Sequence, residues 1–217
     1  MESKKFLLVG GGGHCRSVLD ALLTLGIYDQ IGIVERDAGN GPGLLGIPVV
    51  GTDTDLPRLF DCGWTDAAVT LGSIGSPFRR RELFRTLKSL GFTLPVIKDS
   101  SAVIGNEVTV GEGTFIGKRA VINAGTQVGL CSIVNTGAIL EHDCRAGDFT
   151  HIGPGGVLCG DVILGDDVHI GANAVVRQGI RIGNGSLIGA GGVIIRDVPE
   201  NCTVVGNPGR ILRGELR

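Results

Sequence analysis

An aliphatic residue recurs every six positions through the second half of the sequence, from Ile104 to Ile194. The register holds for sixteen consecutive positions, and fifteen of these residues are Ile, Leu or Val, with Ala146 as the exception. Neither the 3.6-residue period of an amphipathic helix nor the alternation of a half-buried strand produces this spacing. A six-residue period is typical of a parallel β-helix, in which three flat sides close a coil of about 18 residues. The sequence therefore predicts a parallel β-helix over its C-terminal half.

The composition agrees with a tightly coiled repeat. The chain has 217 residues, of which 38 are glycine and only 4% are aromatic. Collagen would need glycine at every third position and far more than the 8 prolines present, and disorder does not fit a mean hydropathy of +0.29. The interior of a β-helix is too narrow for aromatic side chains, and each coil buries its apolar residues against the next. A stack of coils accounts for both numbers.

The residue that follows each aliphatic position is glycine in ten of the sixteen cases. We expect these glycines to supply backbone conformations that side chains disfavour. The six exceptions are Asn123, Asn135, Glu141, Cys159, Arg177 and Ile195. When the sequence is wound at 18 residues per coil, all of them except Asn135 fall in one column with Gly105. That edge of the prism either has a relaxed backbone or faces a partner subunit or ligand.

Three histidines occupy defined places in this winding. His142 and Asp143 lie on the edge that carries side chains, and the 18-residue step puts Gly160 directly above His142, which leaves space beside its ring. His151 and His169 are also 18 residues apart and should stack on a different side of the prism. Within one chain this pair cannot touch His142, but across a subunit interface it could.

The N-terminal half begins with a β-loop-α-β unit. A buried strand, Lys5–Gly10, leads into the glycine run Gly10–Gly13 and a helical pattern, and a second strand, Gln30–Val34, ends at Glu35. Backbone N–H groups in a glycine-rich turn at a helix N-terminus favour phosphate, and Glu35 could accept a hydrogen bond from a ribose hydroxyl or a base edge. The third glycine of the dinucleotide-binding fingerprint is missing, which argues against NAD.

The remaining pattern predicts a small α/β domain of roughly a hundred residues. Its expected elements are a strand at Ala67–Leu71, a turn at Gly72–Pro77, a helix at Phe78–Leu90 and a last strand near Leu94–Ile97. We divide the chain at this point into a nucleotide-sugar-type domain, 1–98, and a β-helix domain with a C-terminal tail, 99–217. The run Arg79–Arg81 is expected at the solvated start of the helix.

Charge and cysteine usage exclude several functional classes. The formal net charge is −2, so there is no basic excess for nucleic acid, and no apolar run approaches the length of a membrane span. The six cysteines form no CxxC pair and no zinc-spaced cluster. With no signal-peptide pattern at the N-terminus, we expect reduced thiols, no metal and a cytoplasmic location.

Four motifs resemble a family of bacterial sugar acetyltransferases over essentially the whole chain. They are GGGGH (Gly10–His14), EHDC (Glu141–Cys144), His151-Ile152-Gly153 and the ending GAGGVIIRDVPENCTVVGNPGR (Gly189–Arg210). The family contains the PglD-type nucleotide-4-amino-sugar N-acetyltransferases and the sialic acid O-acetyltransferases. The resemblance implies a Rossmann-like α/β domain followed by a left-handed β-helix, acetyl-CoA as co-substrate, and a homotrimer with sites between adjacent helices.

The resemblance also implies a role for each matching residue. His142 corresponds to the general base, and Asp143 to the adjacent carboxylate that raises its basicity. The acetyl-CoA site is implied to include a backbone N–H near the thioester carbonyl, from Gly160, and the lining residues His151, Ala172 and Ala190. The residues that match the nucleotide-sugar contacts are Gly12, Gly13, His14, Glu35, Arg36 and Gly72.

Two segments depart from the family pattern. Gly72–Gly75 replaces an Asn-rich turn, and Glu35-Arg36 stands where Asp is common. Both lie in the implied sugar-nucleotide pocket, so the nucleotide and the sugar stay open. The leading hypothesis is acetyl transfer from acetyl-CoA to the 4-amino group of a UDP- or similarly linked amino-deoxy-sugar. The alternatives are O-acetylation of sialic acid or a related sugar, and a non-catalytic sugar-nucleotide-binding trimer.

Overall fold

The N-terminal domain is a three-layer α/β sandwich. The computed structural model describes residues 3–36, 43–74 and 76–212. Four parallel strands lie in the order β3-β2-β1-β4. The elements in chain order are β1 Lys5–Val9, α1 Gly13–Leu25, β2 Gln30–Glu35, β3 Val49–Thr52, a 3₁₀ turn Asp53–Asp55, α2 Leu56–Asp61, β4 Asp66–Val69 and α3 Phe78–Leu90.

The central strand β1 is apolar on both faces because helices cover both sides of the sheet. Phe6 and Leu8 pack in one cluster with the buried face of α1. Leu7 and Val9 pack in a second cluster with α2 and α3. Both clusters extend into side chains of the β-helix, so the two domains share their apolar cores.

The sequence prediction is confirmed for the longer elements and incomplete for the short ones. The helix at Phe78–Leu90 has the predicted ends, whereas β3 and α2 were not predicted. The sequence of β3, VVGT, neither alternates nor forms a continuous apolar run, and the six residues of α2 span less than two helical turns. The strand expected near Leu94–Ile97 is Ile97–Lys98, and it pairs with Phe115–Ile116 of the β-helix, not with the N-terminal sheet. Gly75, part of the predicted turn, lies outside the described residues.

The second domain is a left-handed parallel β-helix with three flat faces, as predicted. Most of its strands are two residues long, and the second residue of each points into the core while the first points outward. Among the described residues this core runs from Ala102 to Val204, and most of it is Ile, Leu, Val and Ala. We name the faces by what covers their outward residues.

The domain face carries the N-terminal domain. Its outward residues Ile97, Phe115 and Ile133 are buried in the same cluster as α1, and the next two outward residues are His151 and His169. Its strands are β5 Ile97–Lys98, β8 Phe115–Ile116, β11 Ile133–Val134, β14 His151–Ile152, β17 His169–Ile170, β20 Leu187–Ile188, β22 Thr203–Val205 and the antiparallel β23 Arg210–Ile211.

The aliphatic face presents only Val and Ile outward. Its strands are β6 Val103–Ile104, β9 Val121–Ile122, β12 Ile139–Leu140, β15 Val157–Leu158, β18 Val175–Val176 and β21 Val193–Ile194. No other described part of the chain forms a core cluster with these outward side chains, and Val103 is 59% exposed.

The polar face is mostly solvated. Four of its five outward residues are exposed and polar: Thr109, Gln127, Arg145 and Arg181. Its strands are β7 Thr109–Val110, β10 Gln127–Val128, β13 Arg145–Ala146, β16 Ile163–Leu164 and β19 Arg181–Ile182.

The glycines that follow the aliphatic positions have a different cause from the one expected. Positive φ angles fall two residues later, for example at Glu107 after Gly105 and at Phe149 after Gly147. At the glycines themselves the next coil lies too close for a side chain: a Cβ at Gly111 would come within 2.6 Å of the Gly129 backbone. Close stacking of backbone on backbone, not φ, requires glycine at these positions.

Candidate active site

His142 and Asp143 form an exposed hydrogen-bonded pair at the corner between the aliphatic and polar faces. The His142 Nδ1–H donates to Asp143 Oδ2 over 2.9 Å, and 57% of the histidine side chain is exposed. The hydrogen bond to Asp143 raises the pKa of His142 above its ordinary value. Because Nδ1 is occupied, Nε2 is the nitrogen that remains able to take a proton from a ligand.

Gly160 lies one coil above this pair and leaves room for the imidazole, as the 18-residue winding predicts. A Cβ at Gly160 would come within 2.5 Å of His142 Nε2, so any other residue would displace the ring. Within the described ranges no backbone carbonyl or side chain accepts from the Gly160 N–H. This corner therefore combines a base with a nearby unpaired N–H donor.

His151 lies on the domain face and is locked in one tautomer. The Thr136 N–H donates to Asn135 Oδ1 (2.7 Å), which leaves the Asn135 amide nitrogen as the donor to His151 Nε2 (3.2 Å). The His151 Nδ1–H then donates to the Ser73 carbonyl of the N-terminal domain (3.0 Å). Burial is the main cause that lowers the pKa of His151 to about 4. The ring is therefore neutral at neutral pH.

His169 and His14 complete a group of histidines between the two domains. The ring of His169 stacks edge-on against His151 with centroids 4.8 Å apart, as predicted from the 18-residue spacing. His14, in the first turn of α1, lies edge-on to Phe115 at 5.3 Å. Burial, followed by the charge of Arg80, lowers the pKa of His14 to about 3. All three rings are held neutral by their surroundings.

The glycine-rich loop divides into two structural and two open positions. Gly10 has a φ of +106°, and a side chain there would collide with Leu71; at Gly11 it would collide with the Glu35 carboxylate. In contrast, a Cβ at Gly12 or Gly13 would meet no protein atom within 4 Å. The tight-turn explanation therefore applies to the first pair only, and the second pair borders open space.

A cleft of about 290 Å³ is bordered by the N-terminal domain and the β-helix. It lies between α1 and the corner that joins the domain and aliphatic faces, and its lining residues are Arg16, Ser17, Asp20, Leu45, Phe115, Lys118 and Thr136. A wider groove of about 530 Å³ around Arg181 and Glu200 lies on the polar face and contains none of the histidines. No histidine lines the smaller cleft either, but its lining includes Thr136, whose N–H donates to the Asn135 that contacts His151.

The residues singled out from the sequence fall into separate groups within one protomer. The N-terminal positions and His151 lie together: Gly72 is adjacent to His14, Glu35 covers Gly11, and Arg36 is exposed at the end of β2. Ala172 and Ala190 stack on successive coils at the corner between the domain and aliphatic faces. His142, Asp143 and Gly160 occupy a different corner.

Sequence analysis missed two residues that fix His151, namely Ser73 and Asn135. Ser73 acts through its carbonyl, which no side-chain pattern can indicate. Asn135 did leave a signal, because it was the one exception to glycine that fell outside the column of Glu141. An asparagine in a column that otherwise contains only glycine indicates that its side chain makes a specific contact, here with His151.

The structure shows neither a metal cluster nor a membrane-spanning helix in the ranges it describes. No group of three or more His, Cys, Asp or Glu side chains there is placed to hold a metal ion. None of the described helices is both long and apolar enough to cross a bilayer.

Comparison with known proteins gives matches to both domains. The model of the PglD N-terminal domain matches residues 5–87, the succinyl-transferase hexapeptide repeat matches 107–142, and the bacterial transferase hexapeptide matches 161–196. A mutant of perosamine N-acetyltransferase from Caulobacter crescentus, crystallised with CoA and GDP-perosamine, is 36% identical, with 97% of each chain covered and a TM-score of 0.90. The chain belongs to the PglD-like sugar acetyltransferase family.

A second source supports the same family. The acetyltransferase domain of PglB from Neisseria gonorrhoeae FA1090, in complex with acetyl coenzyme A, is 33% identical to this PglD-like chain. That similarity covers 97% of this chain and 100% of the other, with a TM-score of 0.87. A comparison with curated protein sequences gives no significant match.

The two kinds of glycine in the loop predict different effects of substitution. Gly13→Val should raise the KM for a nucleotide-linked sugar by about tenfold or more, because the new side chain fills space next to the α1 N-terminus without touching protein. The melting temperature of the Gly13→Val variant should stay near that of the wild type. Gly10→Ala, the control, should instead destabilise the fold by about 1–3 kcal/mol through backbone strain and overpacking. Thermal unfolding and separate binding curves for the two substrates distinguish the cases, and normal sugar-nucleotide binding by a stable Gly13→Val would exclude the loop from the site.

Proposed function

We propose that this chain transfers the acetyl group of acetyl-CoA to the 4-amino group of a nucleotide-linked amino-deoxy-sugar. The observation that carries the proposal is the full-length similarity to an N-acetyltransferase that was crystallised with both CoA and GDP-perosamine. The second relative, crystallised with acetyl coenzyme A, supports the same co-substrate. His142, the Gly160 N–H and the open positions Gly12 and Gly13 support the proposal as a candidate base, a candidate oxyanion donor and a candidate nucleotide-sugar loop.

The chemistry requires a base because an amine attacks a thioester only in its neutral form. The sugar nitrogen bonds to the thioester carbonyl carbon, His142 Nε2 accepts the proton that nitrogen loses, and the sulfur of CoA leaves with the electrons of the C–S bond. Asp143 makes His142 a stronger base by favouring its protonated form. The Gly160 N–H is suited to stabilise the negative oxygen of the tetrahedral intermediate.

Transfer is direct in this scheme, since no nucleophile adjoins the base. Cys159 is the nearest cysteine along the stack, one coil above Glu141, and no described hydrogen bond links its thiol to His142. The pKa of the buried Cys144 thiol is raised to about 11, so it is not a thiolate at neutral pH. We also place the protein in the cytoplasm, because all six cysteines are free thiols.

We further propose a homotrimer in which each site is shared by two protomers. The aliphatic face is a continuous row of outward Val and Ile side chains, and an exposed apolar surface of this kind marks an interaction site. His142 stands at one edge of this face, and Asn135, Ala172 and Ala190 stand at the other. Rotation about a threefold axis along the helix would bring one edge of a protomer to the other edge of its neighbour. The His142 of one subunit would then face the cleft of the next.

The substrate proposal is tested by measuring CoA release with a panel of acceptors. Nucleotide-linked 4-amino-sugars, including GDP-perosamine and a UDP-linked counterpart, should support turnover, whereas free sialic acid should not. The nucleotide without a sugar amine serves as the control for thioester hydrolysis. If only sialic acid supported turnover, the N-acetyltransferase proposal would be wrong and an O-acetyltransferase would take its place. If no sugar supported turnover, a non-catalytic binding protein would be favoured.

His142→Ala should lower kcat by roughly a hundredfold to ten-thousandfold, the range for loss of a general base, with little change in acetyl-CoA affinity. Asp143→Asn should have a smaller effect and should move the acidic limb of the pH–rate profile to lower pH. The sign follows because Asp143 raises the pKa of His142 and the base acts only when neutral. Near-normal turnover of His142→Ala at neutral pH would disprove its role, and an unmoved acidic limb would make Asp143 purely structural.

A charge on the aliphatic face should dissociate the trimer. In the Val157→Asp variant the carboxylate would be desolvated in the interface, so light scattering should give a lower mass and activity should fall with it. Ile163→Asp is the matched control, because Ile163 is an equally half-buried outward aliphatic residue on the polar face of the same coil. A fully active wild-type monomer, or equal dissociation by both variants, would contradict the proposed interface.

A further inference from the structure

The run Arg79–Arg81 at the start of α3 is not the solvated helix start expected from the sequence. Arg79 pairs with Asp53 and Glu82 on the surface. Arg80 is only 2% exposed and is the largest fully buried side chain in the described part of the protein. The three adjacent arginines therefore have three different environments.

Arg81 is one of the contacts that dock the N-terminal domain on the β-helix. Its guanidinium lies 4.2 Å from the Phe149 ring centroid, and its Nε donates to Asp167 over 2.9 Å. Phe84, one turn further along α3, packs edge-on against the same Phe149 ring. This arginine has ordinary partners, an aromatic face and a carboxylate.

Arg80 also reaches from the N-terminal domain to the β-helix, but unlike Arg81 it forms no ion pair with a described carboxylate. Its Nη2 donates to the Cys131 carbonyl of the β-helix, its Nη1 lies 3.5 Å from Ser73 Oγ, and its Nε has no partner among the described groups. No described carboxylate comes within 4.0 Å of the guanidinium. A buried charge that is not paired destabilises a fold, so docking alone does not account for an arginine here.

Ser73 connects Arg80 to the site. The same residue that meets Arg80 through its hydroxyl accepts the His151 Nδ1–H through its carbonyl. We propose that Arg80 is a positioning residue that holds Ser73 against the β-helix, so that the Ser73 carbonyl keeps His151 in one neutral tautomer. The functional consequence rests on the proposed acetyl-transfer function, whereas the structural link does not.

Burial and nearby positive charge favour the neutral form of His151, whereas its hydrogen bond to the Ser73 carbonyl opposes them by favouring the protonated form. Arg80 reaches it from α3, His14 from α1 and His169 from the next coil, and all of these are cationic or able to become so. Protonation would place an Nε2–H against the amide hydrogens of Asn135, where two donors face each other. Arg80 thus disfavours the second proton by its charge, and through Ser73 it determines which nitrogen of the neutral ring carries the hydrogen.

A neutral, fixed His151 matters for a ligand that lies along the domain face. Its Nε2 orients Asn135, and the Asn135 Oδ1 in turn fixes the Thr136 backbone at the rim of the cleft. If His151 became charged and turned away, this rim would lose its hydrogen bonds. We therefore expect Arg80 to influence substrate binding although it is too buried to touch substrate.

The test is imidazole NMR of ¹⁵N-histidine-labelled protein with no substrate present. In the wild type, His151 should show one Nδ1–H tautomer and a pKa near 4, well below the ordinary 6.5. In Arg80→Met both tautomers should appear, because the Ser73 carbonyl is no longer held against Nδ1. Loss of the Arg80 charge raises the pKa of His151 and loss of the Ser73 hydrogen bond lowers it, so the tautomer ratio is the deciding readout. Arg81→Met is the matched control: it removes a docking contact from the same helix but has no link to Ser73, so His151 should titrate as in the wild type.

Kinetics add a second measurement in the same variants. Arg80→Met should lower kcat/KM by about tenfold at pH 7, since misplacement near a site costs rate. Arg80→Lys should keep the low pKa through its charge but show mixed tautomers, and it is the deciding variant if Arg80→Met does not fold. Unchanged His151 spectra in the folded variant, or equal changes in Arg81→Met, would overturn the proposal. Because the spectra need neither acetyl-CoA nor a sugar, failure of the acetyl-transfer proposal would leave this test intact.

Discussion

The contact between the backbones of successive coils is the constraint on which the rest of the structure depends. A coil of 18 residues places each residue directly above the residue 18 positions earlier. The size of a side chain at one corner therefore limits which residues fit in the coils above and below it. Gly111 must be glycine because of Gly129, and Gly160 must be glycine because of His142. The corner that holds His142 therefore follows the same stacking rule as the core: the imidazole fits because the residue one coil above it, Gly160, has no side chain.

The same rule explains how much the sequence could reveal. The hexad period gives the β-helix, the stacked pair His151 and His169 and the space beside His142, because all of these are relations between positions 18 apart. The reason for the glycines could not be found this way, since a period does not separate a φ requirement from a steric one. Contacts across the domain boundary were equally hidden: nothing local distinguishes Arg80 from Arg79, and Ser73 acts through its backbone.

The functional interpretation depends on the separation of His142 from the second group of histidines, His14, His151 and His169. His142 is exposed and its pKa is raised by the hydrogen bond to Asp143, whereas the ring of His151 is enclosed and kept neutral. Such divergent environments are typical of groups with different roles in one site. A row of half-buried Val and Ile side chains separates the corner that holds His142 from the face that carries His151, and the proposed trimer would bring the two groups together across a subunit boundary.

The fixed coil length also limits how this chain can change during evolution. A single inserted residue within the stacked strands or turns would shift every later aliphatic residue out of the core and move Gly160 away from His142. Length can therefore change only by whole coils or by loops that leave the stack at a corner. A coil added above Gly160 would lengthen the surface beside the site without disturbing the catalytic corner. Homologues of different length can thus keep the same chemistry while they vary the reach of the groove along the helix.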